Sequence, residues 1–434
     1  MYGWRYADPD MVSNGLNVLN KLIAAGYETY FVGGCVRDEL LKRPVHDMDI
    51  TTAAEPEQVL NLFPDAIPTG IQHGTVTVML EGNPYEVTTF RTESDYKDHR
   101  RPADVAFVKE ITEDLRRRDF TMNAIAMRPD GTRVDPFAGE EDIRLELVRC
   151  VGEAEQRFQE DALRMLRCVR FAANFGFSIA YNTWKALLHK RELLQHIAME
   201  RVRTEIEKLL EGPDPLRGLE LLRRSGLLSY TKVPTPWEQV DPALLTRLDE
   251  LTPPLRWGML ALSTRVSAEE LDPVLRGWTC SNEVRERAIA LLRMEASLQR
   301  GIMNEIMEQA TPAVGLHRLW ISLILKYGPV AAEDWLEVQR VMPTEYRELS
   351  LEARSHMELI TARGQEWLSS APVLQLKDLE ITGGELAAIL ERRGGPWLGQ
   401  LMAGLLYKVA CGEVGNEREA LIEEAKRVMN DEQA

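Results

Sequence analysis

A chain of 434 residues is too long for one ordinary hydrophobic core and predicts about three domains at roughly 150 residues each. Its 44% hydrophobic and 28% charged residues exclude a disordered chain; no apolar run nears the ~18–20 residues of a membrane span, and the opening MYGWRYADPD holds no signal-peptide core, which together predict a cytoplasmic protein with no membrane partner. A net charge of −16 and a pI near 5.1 exclude a basic coat for unselective nucleic-acid binding, but not a locally basic cleft built from Arg100-Arg101, Arg116-Arg117-Arg118 or Arg164, Arg167 and Arg170.

In chain order, residues 11–25 carry Val12, Leu16, Leu19, Leu22 and Ile23 at helical spacing, and Gly26 ends that helix. Tyr30-Phe31-Val32 reads as a strand that stops at Gly33-Gly34, after which the pattern turns helical through Leu41. A short helix follows over 56–63. Residues 73–80 alternate as a strand, Glu81-Gly82-Asn83-Pro84 turn the chain, and 85–90 return as the antiparallel partner. The polar stretch TESDYKDHRRPAD at 92–104 suits a mobile loop. Residues 105–108 resume a strand, and a helix through 113–118 leads into DFTMNAIAM. Beyond about residue 140 nearly everything is helical, notably 160–174 and 202–210, with Gly212-Pro213-Asp214-Pro215 as a boundary and a proline-rich connector at 234–254. Five scattered cysteines without a CxxC pair predict reduced, mostly buried thiols, with neither zinc nor a disulfide framework.

The chemistry concentrates after the glycine pair. In HDMDITT, strand alternation puts Asp47 and Asp49 on one face and Met48 and Ile50 on the other, roughly 6.6 Å apart along the backbone. At an effective dielectric of about 20 the two carboxylates repel by roughly 2.5 kcal/mol, a cost that a divalent cation between them reverses. Glu86, on the returning strand opposite in facing to Tyr85 and Val87, delivers a third acid. Hard oxygen ligands of this kind suit Mg²⁺, which keeps other positions for water and phosphate. Gly33 and Gly34 let backbone amides approach a triphosphate, and Arg37, one turn on, can add charge-assisted hydrogen bonds. Farther along, Asp161, Arg164, Arg167 and Arg170 recur every third residue and predict one polar stripe on a helix.

Taken in order, FVGGCVRDELL, HDMDITT, YEVTTFR, RRRDFTMNAIAM and EDALRMLRCVRFAANFGF resemble the class II tRNA nucleotidyltransferases, the CCA-adding enzymes of the polymerase-beta-like superfamily. The likeness runs from about residue 30 to 211 and continues weakly through ITGGEL and GPWLGQLM. It implies an α+β fold: a mixed-sheet catalytic head over 1–140, then an all-helical neck over 141–215, body over 216–340 and tail over 341–434 that grips tRNA. It also implies metal binding by Asp47 and Asp49 with Glu86 as third carboxylate, and nucleotide contacts at Gly34, Arg37 and Arg118. The resemblance further places Asp161 and Arg164 on the base edge, with Arg167 and Arg170 nearby. An acceptor from Asp161 and a donor from Arg164 match cytosine and adenine, each of which shows an amine beside a ring-nitrogen acceptor, and clash with uracil and guanine.

The implied activity is addition or repair of the 3′-terminal CCA of tRNA from CTP and ATP, with Mg²⁺ and release of pyrophosphate. The retained loop DYKDHRRP resembles that of relatives that add the terminal A. Three rivals share parts of this pattern: an A-adding enzyme working with a CC-adding partner, a poly(A) polymerase, and a non-catalytic RNA-binding relative. The intact acids argue against the last, since they repel phosphate unless metal is bound. No phosphohydrolase activity is expected, because His46-Asp47 is the only His-Asp pair.

Overall fold

The computed structural model describes residues 4–93, 96–97, 101–102, 105–235, 237, 240, 242–264, 266–308, 312–342 and 350–431. The chain divides into two compact units, 1–238 and 239–434. The head and neck expected from the sequence thus share one unit, and the break drawn at Gly212–Pro215 falls inside it.

The first unit opens with α1 (Pro9–Ala24), started by the Asp8 carboxylate, which accepts hydrogen bonds from the amides of Asp10 and Met11 at 3.0 Å each. Then come β1 (Thr29–Val32), α2 (Gly34–Leu40), β2 (Ile50–Thr52), α3 (Pro56–Leu62), β3 (Ile67–Gly70), β4 (Thr75–Leu80) and β5 (Asn83–Thr89). The β4–β5 hairpin closes on two residues, Glu81 and Gly82, both with positive φ, while Leu80 pairs with Asn83. That is tighter than the four-residue turn the sequence suggested, because positive φ at both central positions matches the twist of the strands.

Four short strands follow, β6 (Arg91–Glu93), β7 (Tyr96–Lys97), β8 (Arg101–Pro102) and β9 (Val105–Phe107), with β6 pairing β9 and β7 pairing β8, both antiparallel. The sequence suggested a loop here. Backbone pairing needs no apolar side chains, so a polar stretch can still form a ladder. Arg100 and most of the residues that bore on addition of the terminal A lie outside the described residues.

The unit continues with α4 (Ile111–Arg116), β10 (Ala126–Met127), β11 (Arg133–Val134), α5 (Gly139–Arg144), β12 (Leu147–Val148), α6 (Ala154–Glu160), α7 (Leu163–Phe175), β13 (Ser178–Ile179), α8 (Tyr181–Lys190), α9 (Met199–Leu210) and α10 (Pro215–Ser225). Seven strands form one mixed sheet in the order β11-β10-β1-β2-β5-β4-β3, in which β2 and β5 run parallel and the other neighbours antiparallel. One face packs Phe31, Ile50, Val76, Tyr85 and Val87 against α1 and α3, and the Tyr85 hydroxyl donates to the Met11 carbonyl at 2.9 Å. On the other face Tyr30, Val32 and Phe90 pack with Leu115, Ala126 and Val151. That second face also carries the acids.

The second unit is helical: α11 (Pro253–Ser263), α12 (Ala268–Gly277), α13 (Asn282–Glu308), α14 (Pro312–Tyr327), α15 (Pro329–Val341), α16 (Leu351–Ser370), α17 (Gly383–Ile389), α18 (Pro396–Ala410) and α19 (Arg418–Asp431). Trp257, Trp278, Trp320 and Trp335 are fully buried here. The Trp320 indole donates to the Gly364 carbonyl at 3.0 Å and the Trp335 indole to Glu295 Oε2 at 2.5 Å. The last three helices share an apolar cluster that includes Leu386, Leu405, Val409 and Leu421. All five cysteines are free, four of them buried, and no helix among the described residues is long and apolar enough to cross a membrane.

Candidate active site

The acids are placed by register. Ile50 of β2 pairs with Val87 of β5 in parallel, so the residues just before them, Asp49 and Glu86, stand side by side on the face opposite the Ile50 and Val87 core. Burial alternates as the sequence pattern required: Met48 and Ile50 are buried, Asp47 and Glu86 exposed, Asp49 half-buried. The ladder starts only at Ile50, however, so Asp47 lies ahead of the strand and pairing does not fix it. Consistent with that freedom, no three His, Cys, Asp or Glu side chains among the described residues are gathered tightly enough to hold a metal ion by themselves.

The donor set nonetheless fits a hard divalent cation. Burial, then the charge of Asp47, lifts the Asp49 carboxyl from 3.8 to about 6; Glu86 pushes the same way, and Arg118 and Arg37 oppose. Burial and unbalanced negative charge are what a cation relieves, and an open cluster leaves coordination positions for water and phosphate. The chemistry of these residues therefore suits a hard divalent metal ion.

The glycine pair does two separate jobs. Gly33 has φ +78 and its amide donates to the Ile125 carbonyl at 3.3 Å; a Cβ there would meet Arg118 Nη1 at 2.8 Å. Gly33 thus seats Arg118, and its amide is spent on the protein rather than open to a ligand as the sequence suggested. Gly34 is the open position, since a Cβ added to it would meet nothing nearer than Arg37 Nη2 at 3.7 Å. Arg37 is held by Asp38, at 2.9 and 2.8 Å, and by Asn123 Oδ1 at 2.7 Å. Its guanidinium also lies over the Phe175 and Phe171 rings, 4.8 and 5.4 Å from their centroids.

The expected continuous helix over 160–174 is broken. α6 ends at Glu160, Asp161 is extended (φ −138, ψ 104), and α7 starts at Leu163. Asp161 therefore does not belong to the helical stripe but sits just ahead of α7, accepting from the Leu163 amide at 3.1 Å and pairing with Arg201 at 2.8 Å. The short Asp side chain competes with the helix for backbone donors, which breaks the helix at this point. The arginines of α7 reach across to other elements instead of along the helix. Arg164 is buried and bonds Glu160 at 2.7 Å and the carbonyls of Arg157 and Arg117 at 3.1 and 2.9 Å. Arg167 pairs with Asp119 at 2.6 Å, and Arg170 with Glu205 at 2.7 Å.

Asp119 and Asn123 are residues that sequence reasoning passed over, although both lie in the RRRDFTMNAIAM motif. Asn123 Nδ2 donates to Asp119 Oδ1 at 3.0 Å while its carbonyl oxygen accepts from Arg37. A bonded chain Arg37–Asn123–Asp119–Arg167 thereby joins the acid cluster to α7. Burial raises the Asp119 carboxyl, but the Arg167 and Asn123 contacts outweigh it and hold the acid well below the usual range. Asp114 behaves alike: burial is the largest influence, yet Arg117 and Arg118 bring it below its ordinary value. Arg118 is thus anchored between Asp114 and Gly33 and still close enough to Asp49 to act on its charge.

Three family models match in succession: the poly A polymerase head domain over 29–149, the RNA and SrmB-binding site of polymerase A over 176–233, and tRNA nucleotidyltransferase domain 2 over 254–425. The chain is 40% identical over 410 residues to the CCA-adding enzyme of Geobacillus thermodenitrificans, covering 94% of each chain, and 38% identical over 423 residues to that of Geobacillus stearothermophilus, with the same coverage. Its structure resembles that of the Bacillus stearothermophilus CCA-adding enzyme in complex with CTP, with TM-score 0.77, 35% identity, and 98% and 99% of the two chains covered. The Thermotoga maritima CCA-adding enzyme complexed with tRNA shares the fold at TM-score 0.63 and 19% identity, over 98% and 97% of the chains. By these likenesses the chain belongs to the CCA-adding enzyme family of tRNA nucleotidyltransferases.

Proposed function

We propose that this protein is a template-independent nucleotidyltransferase that builds or repairs the CCA end of tRNA from CTP and ATP in the cytoplasm, with release of pyrophosphate. The observation that carries the chemistry is the side-by-side placement of Asp49 and Glu86, with Asp47 close enough to raise the Asp49 carboxyl to about 6 and Arg37 and Arg118 close enough to oppose it. Asp47 and Asp49, with Glu86 beside them, would hold the metal, and hard oxygen donors favour magnesium. When bound, it supplies charge that readies the attacking 3′-hydroxyl and stabilises the leaving pyrophosphate. Arg118, seated over Gly33, and Arg37, beside open Gly34, draw the triphosphate toward the acids.

Base choice rests on Asp161 and Arg164, with Arg167 and Arg170 behind them. Asp161 accepts the exocyclic amine and Arg164 donates to the ring nitrogen, a pairing open to cytosine and adenine. Both side chains already have protein partners, Arg201 for Asp161 and Glu160 for Arg164. Reading a base therefore exchanges those contacts for the base edge. The head over 1–140 carries transfer, the neck over 141–215 selects the nucleotide, and the body and tail over 216–434 hold the acceptor arm.

The test is to incubate tRNA ending before the CCA, and tRNA ending in CC, with CTP, ATP, UTP or GTP in magnesium. C addition to the first and A addition to the second are expected, with UTP and GTP refused. Addition of A alone, to the CC-ended substrate only, replaces this reading with an A-adding enzyme.

A further inference from the structure

Behind the aromatic residues of α7 the structure holds a second pocket, of about 350 Å³, that the transfer chemistry does not use. It is lined by Phe177 and Ile179, by Tyr181 and Trp184 of α8, and by Arg217 and Arg224 of α10. The Phe177 ring lies 5.8 Å from that of Phe175, the ring that Arg37 overlies, so the pocket is one aromatic layer away from Arg37.

Three features set it apart from ordinary surface. Tyr181 leaves 77% of its area to solvent, although its ring is large and apolar. Tyr181 and Trp184 are three apart on α8 and share a face, and the Arg224 guanidinium stands 5.8 Å from the Trp184 ring. The lining includes two arginines and no carboxylate among the described residues, in a chain of net charge −16. Arg217 is held in place by a 2.7 Å bond to the Phe177 carbonyl.

We propose that this pocket takes one unstacked nucleotide of an RNA strand, its base on the Tyr181 and Trp184 rings and the strand's phosphates on Arg217 and Arg224. A volume of this size lies within the roughly 300–1,000 Å³ of small-ligand sites. Aromatic faces accept every base, and guanidinium forks pair with phosphate oxygens whatever the sequence. Such a site adds affinity without sequence preference. The proposal rests on tRNA being the substrate, and it assigns to the RNA a contact point separate from the nucleotide site.

Tyr181→Ala and Arg224→Glu alter exposed side chains outside the transfer site, and Tyr181→Phe keeps the ring. The full chain's affinity for tRNA lacking its CCA is measured by fluorescence anisotropy, beside KM for CTP and ATP and kcat at saturating tRNA. Tyr181→Ala and Arg224→Glu should weaken tRNA binding roughly tenfold, with kcat and nucleotide KM unmoved and Tyr181→Phe behaving as wild type. Arg224→Glu should also flatten the salt dependence of binding by about one phosphate contact. A raised nucleotide KM at unchanged tRNA affinity would identify a free nucleotide as the occupant and overturn the RNA assignment; unchanged affinity for both would overturn the pocket itself. Wild-type protein assayed alongside separates the two levels, because failure of the functional reading appears there as absent extension, whereas failure of the pocket appears as variants that match an active wild type.

Discussion

Replacing Asp49 by Asn tests the acid cluster through stability, independently of catalysis. Burial, Asp47 and Glu86 together outweigh Arg118 and Arg37 and raise the carboxyl from 3.8 to about 6. A group whose folded-state pKa lies above its unfolded value stabilises the protein while protonated, and that contribution is lost as pH rises from about 4 through about 6. At about 1.4 kcal/mol for each tenfold change in proton affinity, the wild type forgoes up to about 3 kcal/mol above that window. Asparagine carries no charge and forgoes none of it. In chelator at pH 8, thermal unfolding of the first unit should therefore move up by roughly 6–10 °C in Asp49→Asn. The gain should shrink to about a third of that near pH 4.5 and vanish only below about pH 3.5, and Glu86→Gln should show a smaller one. Adding magnesium should stabilise the wild type and leave the variant nearly unmoved, while transfer activity is lost in the variant. An Asp49→Asn protein no more stable than wild type at pH 8 in chelator, or one whose advantage persists undiminished at pH 4.5, would refute the convergence of these acids.

Other outcomes follow from the same geometry. Gly33→Ala combines a positive φ with a Cβ 2.8 Å from Arg118 Nη1; it should cost about 1–2 kcal/mol of stability and raise KM for both nucleotides, read by calorimetry and steady-state kinetics. Asp119→Asn removes the nearer of the two carboxylates that Arg167 pairs with, leaving Glu205 at 3.7 Å, and should cost about 3 kcal/mol at pH 7. Because the folded-state value of Asp119 is depressed, its contribution is present above about pH 4 and is lost as pH falls toward the folded value, so the variant should show a flatter acid limb in urea denaturation. Asp161→Ala should lose discrimination against UTP and GTP before it loses transfer, and a variant that still refuses both removes Asp161 from base reading.

The candidate acids and arginines could be picked out in the sequence, but their partners could not. Alternation in HDMDITT and YEVTTFR placed Asp49 and Glu86 away from the core, because burying Ile50 and Val87 leaves a strand only one way to face. The helix following Gly33 and the β4–β5 hairpin were equally readable from local pattern. What alternation cannot state is which strands become neighbours. That Asp49 and Glu86 meet depends on β2 lying parallel to β5, a pairing between segments some thirty residues apart in the chain.

The arginine stripe shows the same boundary from the other side. Spacing by threes located Arg164, Arg167 and Arg170 correctly on α7, since helical periodicity is a local property. Of their partners, Asp119, Glu205 and the Arg117 carbonyl come from distant segments, and at the break Asp161 spends its carboxylate on the Leu163 amide and on Arg201. Sequence by itself determined most of the kinds of element, the faces that must be buried and the side chains that are candidates for chemistry, because each depends on residues a few positions apart; the ladders of β6–β9 and the break at Asp161 it did not. Tertiary structure alone decided which charges neutralise one another and which stay unbalanced, since electrostatic energy depends on distances that only the packed chain sets.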